Sequence, residues 1–208
     1  MGAERIKHVI LKVAGYLVFL VQSVPVWTGL MTLPFALSII TILSNIKLNL
    51  PIALREFLSP FLLPEKALIT VGILLIVYSR IYIQTRKRED LVTSGPYGLV
   101  RHPQYLGMIL TTLGFTSWSI WWLRNTFGIG FLNPSQTILL FFFELFAYIF
   151  LANIEERYLV ENYGESYLDY RVHVPFFIPV LQTGNKIQET VITVIIPSIA
   201  LLGLLWIN

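Results

Sequence analysis

The sequence predicts an all-α protein, a polytopic transmembrane helical bundle of about five to six spans. Three observations carry that expectation. Hydrophobic residues make up 55% of the 208 positions and charged residues only 13%. Mean hydropathy is +0.70, far above that of an ordinary soluble domain. Apolar runs near residues 9–27, 29–46, 67–83, 104–123, 136–153 and 190–207 each approach the ~20 residues that a bilayer core requires of a helix.

Those runs occupy more than half of the chain, which leaves no room for a separate soluble domain of typical size. Residues 1–208 are therefore read as a single integral membrane domain, in which 1–66 form an N-terminal helical hairpin and connector. The first run follows a basic flank, as in a signal sequence, but no small-x-small cleavage site follows it, so it is expected to stay as the first helix. Neither a myristoylation nor a prenylation motif is present, and no lipid anchor is expected. The sequence has no cysteine, which excludes disulfides, thiolate metal sites and a thiol nucleophile. Its formal charge of +3 is too small and too close to membrane segments for a nucleic-acid-tracking stripe, so no nucleic-acid partner is expected.

Two stretches between spans hold most of the chemically informative residues. The first follows the 67–83 run and contains LVTSGPYGLVRHPQYLG, residues 91–107. Gly95-Pro96 is a turn signal, and Pro103 suits the first turn of the next helix, where its missing N–H costs nothing. That helix start, with Arg101 and His102 at its entrance and Tyr105 and Gly107 in its first turns, favours an anionic group nearby. Taken singly, these residues also have plainer readings: Arg101 on a headgroup phosphate, His102 as a cap, Tyr97 and Tyr105 as interfacial aromatics.

The second stretch, residues 153–179, begins inside the fifth run, whose helix is expected to continue to about Asn162 and stop at Gly164. Spacings of four, seven and four put Glu144, Tyr148, Glu155 and Leu159 near one face of that helix, so two carboxylates could line one cavity. Glu144 lies at membrane depth, where a charge commonly marks a site. A pair with Arg80 or a protonated carboxyl bonded to a tyrosine are its alternatives. Glu155 and Glu156 could equally be a solvated face shared with Arg157.

One pair of spans separates the two stretches, which puts both on the same side of the membrane, where they can meet. That side holds Arg86, Lys87, Arg88, Arg101, Arg157, Arg171 and Lys186, against Arg5, Lys7, Lys47, Arg55, Lys66 and Arg124 opposite. The dense run Arg86-Lys87-Arg88 points to a cytoplasmic location for both loops. The histidines, His8, His102 and His173, are scattered, and no metal is expected. No nucleophile elbow and no dinucleotide-type glycine motif occurs.

Taken together, Gly95, Tyr97, Arg101, His102, Pro103, Tyr105 and Gly107, followed by Glu155, Glu156, Leu159, Gly164 and Tyr167, resemble the integral-membrane methyltransferase family of isoprenylcysteine carboxyl methyltransferases and phospholipid N-methyltransferases. The resemblance covers residues 82–179, which it marks as the catalytic core. It implies S-adenosylmethionine as cofactor, held by two loops at one membrane face, and a lipid-like or lipophilic acceptor entering from the bilayer. Carried over by position, the cofactor pocket comprises Glu89, Asp90, Leu91, Val92, Tyr97, His102, Pro103, Gln104, Tyr105, Glu155 and Glu156. Arg101 and Glu144 are the candidate catalytic residues, Glu144 through its depth and the face it shares with Glu155.

In isoprenylcysteine methyltransferases an arginine one turn before the cofactor-binding glutamate is implicated in the acceptor carboxylate. Leu151 stands there in this sequence, which removes a bidentate carboxylate clamp at that position. The alternative expectation is an NADPH-dependent membrane reductase of the sterol-reductase type, which carries a related Arg-His-Pro-x-Tyr pattern.

Overall fold

A computed structural model describes residues 36–37, 39–41, 62–86, 91–125 and 132–207. The first expected span and nearly all of the second lie outside the described residues, as do Glu89 and Asp90. Residues 36–37 and 39–41 are helical, and five further helices follow among the described residues: α1 (Leu63–Thr85), α2 (Pro103–Asn125), α3 (Pro134–Tyr163), α4 (Glu165–His173) and α5 (Lys186–Ile207), with a 3₁₀ turn at Gly95–Gly98 between α1 and α2. Four of them, α1, α2, α3 and α5, are long and apolar enough to cross a bilayer. They correspond to the last four runs read from the sequence, and no strand occurs among the described residues. The protein is a polytopic, all-helical membrane protein.

Helix α2 is the central element, with most of its span buried against α1, α3 and α5. Its threonines tolerate that burial because their hydroxyls turn back onto the helix: Thr111 donates to the Gly107 carbonyl at 2.8 Å and Thr112 to that of Ile109 at 3.2 Å. Lipid tails are as apolar as leucine, so α1 and α2 gain no hydrophobic drive to associate and depend on close packing. Glycines supply it. A Cβ on Gly107 would lie 2.7 Å from the Gly72 carbonyl oxygen, and one on Gly114 would lie 2.7 Å from that of Glu65. A Cβ on Gly72 would meet Thr111 Oγ1 and, at 2.6 Å, the Gly107 carbonyl. The pairing of residue 72 with 107 and of 65 with 114 makes the two helices antiparallel. Around the contact, Ile69, Gly72 and Ser79 face inward while Leu74, Val77, Tyr78 and Ile81 face outward.

Helix α3 starts on a capping box: the Asn133 side chain accepts from the Gln136 N–H at 2.9 Å, and the Gln136 side chain accepts from the Asn133 N–H at 3.0 Å. It ends at Gly164, whose φ of 51° favours glycine. Its 30 residues run about 45 Å, longer than a hydrocarbon core of ~30 Å. Its last turns, which carry Glu155, Glu156 and Arg157, are the charged end of an otherwise apolar helix. Beyond Gly164 the sequence reading expected only a loop. Helix α4 forms there because Tyr167 and Tyr170, one turn apart, pack with Val174 against Leu91, Leu159, Val160 and Tyr163. Helix α5 begins at Lys186, one turn earlier than the apolar run, and that turn carries Glu189 inward.

Candidate functional site at one membrane face

The stretch between α1 and α2 meets the stretch after α3 at one end of the bundle. Gly95 adopts φ 61°, and its bare Cα lets the Tyr82 ring lie where a Cβ would be, 2.5 Å from the nearest ring carbon. Tyr82 also shares a 2.8 Å hydrogen bond with Ser94. The loops are then tied directly. Tyr170 donates to the Tyr97 carbonyl at 2.6 Å, and the Arg101 N–H donates to the Pro175 carbonyl at 2.9 Å.

Arg101 is the hub. Its guanidinium reaches Glu156 at 3.2 Å and Glu189 at 2.5 Å and lies over the Phe176 ring at 5.3 Å. The second oxygen of Glu156 lies 3.3 Å from Lys186 Nζ. His102 adds contacts at 3.5 Å to Glu156 and 3.8 Å to Glu155, and its ring is enclosed by Phe176, Phe177 and Tyr105. Arg101, His102, Glu156 and Glu189 are all buried. Charges out of water are tolerated only when paired in this way, and removing one partner leaves the rest uncompensated.

Beside this network opens a cavity of about 200 Å³, lined by Leu91 and Val92, Tyr97, Arg101, Glu155 and Tyr167, with Arg86, Tyr163 and Tyr170 at its walls. Glu155 is part-exposed into it, whereas Glu156, one residue on and 100° around the helix, points to Arg101 and Lys186. Burial raises the Tyr97 phenol well above its usual range, with the Glu155 carboxylate adding to the effect. Tyr167 and Tyr170 are raised too, chiefly by burial. All three stay neutral hydroxyls. The Tyr167 hydroxyl is buried with no hydrogen-bond partner among the described residues, and the residue forms part of the cavity wall.

Of the residues read from the sequence, Leu91, Val92, Tyr97, Arg101 and Glu155 line the cavity. Gln104 touches it indirectly, donating to the Tyr97 hydroxyl at 3.0 Å. Pro103 opens α2, as expected. His102 and Glu156 are in the ion network behind Arg101. Tyr105 packs on Tyr148 and Phe177, deeper in the bundle. Glu144 is fully buried near that level and does not line the cavity; it sits three turns, about 16 Å, from Glu155. Leu151 is a core residue.

Glu189 and Lys186 were missed as site residues. The available signal was a single acid in the first turn of an otherwise apolar helix.

A carboxylate, a guanidinium and several tyrosine rings around one cavity suit a ligand that carries both an ammonium and a carboxylate, with a cationic or planar part against the rings. The four membrane-spanning helices define an integral membrane protein, and the cavity opens at one end of their bundle. The chain belongs to the phospholipid methyltransferase family, whose model matches residues 52–166. It is similar to the protein-S-isoprenylcysteine O-methyltransferases of Schizosaccharomyces pombe (35% identity over 108 residues, 50% of this chain and 39% of that protein) and Saccharomyces cerevisiae (32% over 100 residues, 47% and 36%). It is also similar to the cobalt-zinc-cadmium resistance protein CzcN of Cupriavidus metallidurans, with 33% identity over 115 residues, 54% of this chain and 45% of that protein. The matches thus span less than half the length of these curated relatives. No solved structure matches the chain.

Proposed function

We propose that the protein is a membrane-embedded methyltransferase that uses S-adenosylmethionine and acts on a lipid-like or lipophilic acceptor. The observation that carries this reading is the cavity between the two loops, with Glu155, Arg101, Tyr97 and Tyr167 in its lining. S-adenosylmethionine, when bound, supplies an electrophilic methyl group on a sulfonium. Glu155 would hold its ammonium, Arg101 its carboxylate, and the faces of Tyr97, Tyr163 and Tyr170 its cationic and planar parts. Leu91 and Val92 shape one wall, with Glu89 and Asp90 just before them in sequence.

His102 and Glu156 act by holding Arg101, and Pro103, Gln104 and Tyr105 by fixing the start of α2 and the Tyr97 hydroxyl. Methyl transfer depends on in-line approach and exclusion of water more than on proton movement. A carboxylate acceptor such as a prenylcysteine needs no base, whereas a phospholipid amine must lose a proton, and Glu144 is the group at membrane depth that could take it or orient the acceptor. Residues 82–179 would be the catalytic core, residues 1–66 an accessory hairpin, and the loops cytoplasmic beside Arg86-Lys87-Arg88.

The test is transfer of labelled methyl from S-adenosylmethionine into extracted lipids and prenylcysteine analogues by detergent-solubilised protein. Transfer to any of these, lost in Glu155→Gln, is the expected result. A thermal shift with NADPH and none with S-adenosylhomocysteine would instead restore the reductase alternative, which none of the relatives named above supports.

A further inference from the structure

A second recess, of about 220 Å³, lies on the other side of the Arg101–Glu156 pair from the cavity. It is lined by Glu156, Arg157, Val160 and Glu161 of α3, Arg171 of α4 and Lys186 of α5. Three cations from three helices converge on it, and their existing partners are few. Lys186 faces Glu156, but that carboxylate is already shared with Arg101 and His102. Neither Arg157 nor Arg171 has an ion-pair partner among the described residues, although Glu161 lines the same recess. Cations left unpaired in a concavity at a membrane face attract anions, and guanidinium forks match phosphate oxygens two at a time.

The surroundings select the kind of molecule that carries the anion. Ile187, next to Lys186, is 75% exposed and begins an outward aliphatic column that continues through Val191, Ile195, Ile199 and Leu202 along α5. Val172, beside Arg171, is exposed as well. Hydrocarbon therefore has a track that starts at the rim of the recess and runs into the bilayer. Two carboxylates line the recess, Glu156 and Glu161, against three cations, so the local balance favours an anion.

We propose that this recess binds the phosphate group of an anionic amphiphile, with Arg157, Arg171 and Lys186 on the phosphate and the chains along the exposed face of α5. The site is separate from the methyl-donor cavity and stands whether or not the donor assignment holds. It shares Glu156 with the ion network, so its occupant and Arg101 act on the same carboxylate.

The test compares retention of spin-labelled phosphatidic acid and spin-labelled phosphatidylcholine by the full chain in phosphatidylcholine nanodiscs. Wild type is expected to retain phosphatidic acid preferentially and saturably. Arg157→Gln/Arg171→Gln should weaken that retention by roughly twenty-fivefold, at about fivefold per surface cation. Arg124→Gln, at the opposite end of α2, should leave it unchanged. An unchanged unfolding midpoint confirms that the double variant is folded; if it does not fold, Arg157→Lys/Arg171→Lys is used, which keeps the charge and loses the fork, and the preference should fall without vanishing. Full displacement of the lipid by millimolar inorganic phosphate would assign the ligand to the soluble pool and overturn the lipid assignment; retention in its presence supports the lipid. Equal retention of the two lipids by wild type, or a preference that survives in the double variant, overturns the proposal.

Discussion

The α1–α2 interface and the polar end of the bundle hold neighbouring segments together by opposite means. At the interface, side chains are absent where contact is closest: Gly72, Gly107 and Gly114 let two backbones touch. At the polar end, five ionisable side chains from three segments fill the contact, with Arg101 joined to Glu156 and Glu189, and His102 and Lys186 around them. The first arrangement works in hydrocarbon, where dispersion between close surfaces is the main attraction available. The second works only where the charges satisfy one another and the headgroup region is near. The comparison teaches that the bundle is closed by shape and the site by charge, and that the two should respond differently to substitution.

The largest effect is expected at the hub. Arg101→Ala leaves Glu156 and Glu189 buried without their shared cation and should lower stability by about 3–5 kcal/mol, measured by denaturant unfolding in detergent. Tolerance of that change would mean that water reaches the network and that charge does not hold the loops. Next comes the glycine contact. Gly107→Ala places a methyl against the Gly72 backbone and should cost about 1–3 kcal/mol, with no dependence on salt or pH; an equally stable variant would show that α1 and α2 can separate freely.

Glu189→Gln keeps the size of the side chain and removes one charge, so a loss of about 1–2 kcal/mol is expected, smaller than for Arg101→Ala in the same assay. The smallest effect belongs to alkaline pH. Tyr97, Tyr167 and Tyr170 have folded-state values raised above the ordinary tyrosine value near 10. Their contribution is complete below that value and is lost as pH rises above it, because the unfolded chain ionises first. The unfolding midpoint should therefore be flat to about pH 9 and fall beyond 10, and a profile without that fall would mean that these phenols are open to water.

Much of this was legible in the sequence. Four spans could be marked from hydropathy alone, because α1, α2, α3 and α5 are long apolar runs bounded by Pro64, Pro103, Asn133-Pro134 and Lys186. Helix α4 was not legible, since its mixed polarity gives no apolar stripe and only the tyrosine pair one turn apart holds it in place. The two halves of the site were readable as residue types, but the division of labour between Glu155 and Glu156 was not: adjacent residues on one helix differ by 100°, and only the positions of Arg101 and Lys186 decide which turns inward. Glu189 was hidden for a related reason. Its partner lies 88 residues away, and no local pattern announces a tertiary ion pair.

The central claim is that the cavity beside Arg101 binds the methyl donor through Glu155 and the tyrosine-lined wall. Titration calorimetry of S-adenosylhomocysteine into the detergent-solubilised protein tests it most directly. One-site binding is expected, weakened at least tenfold in Glu155→Gln, by about 1.4 kcal/mol or more. Absence of heat with the folded wild type, or equal affinity in wild type and Glu155→Gln, would contradict it.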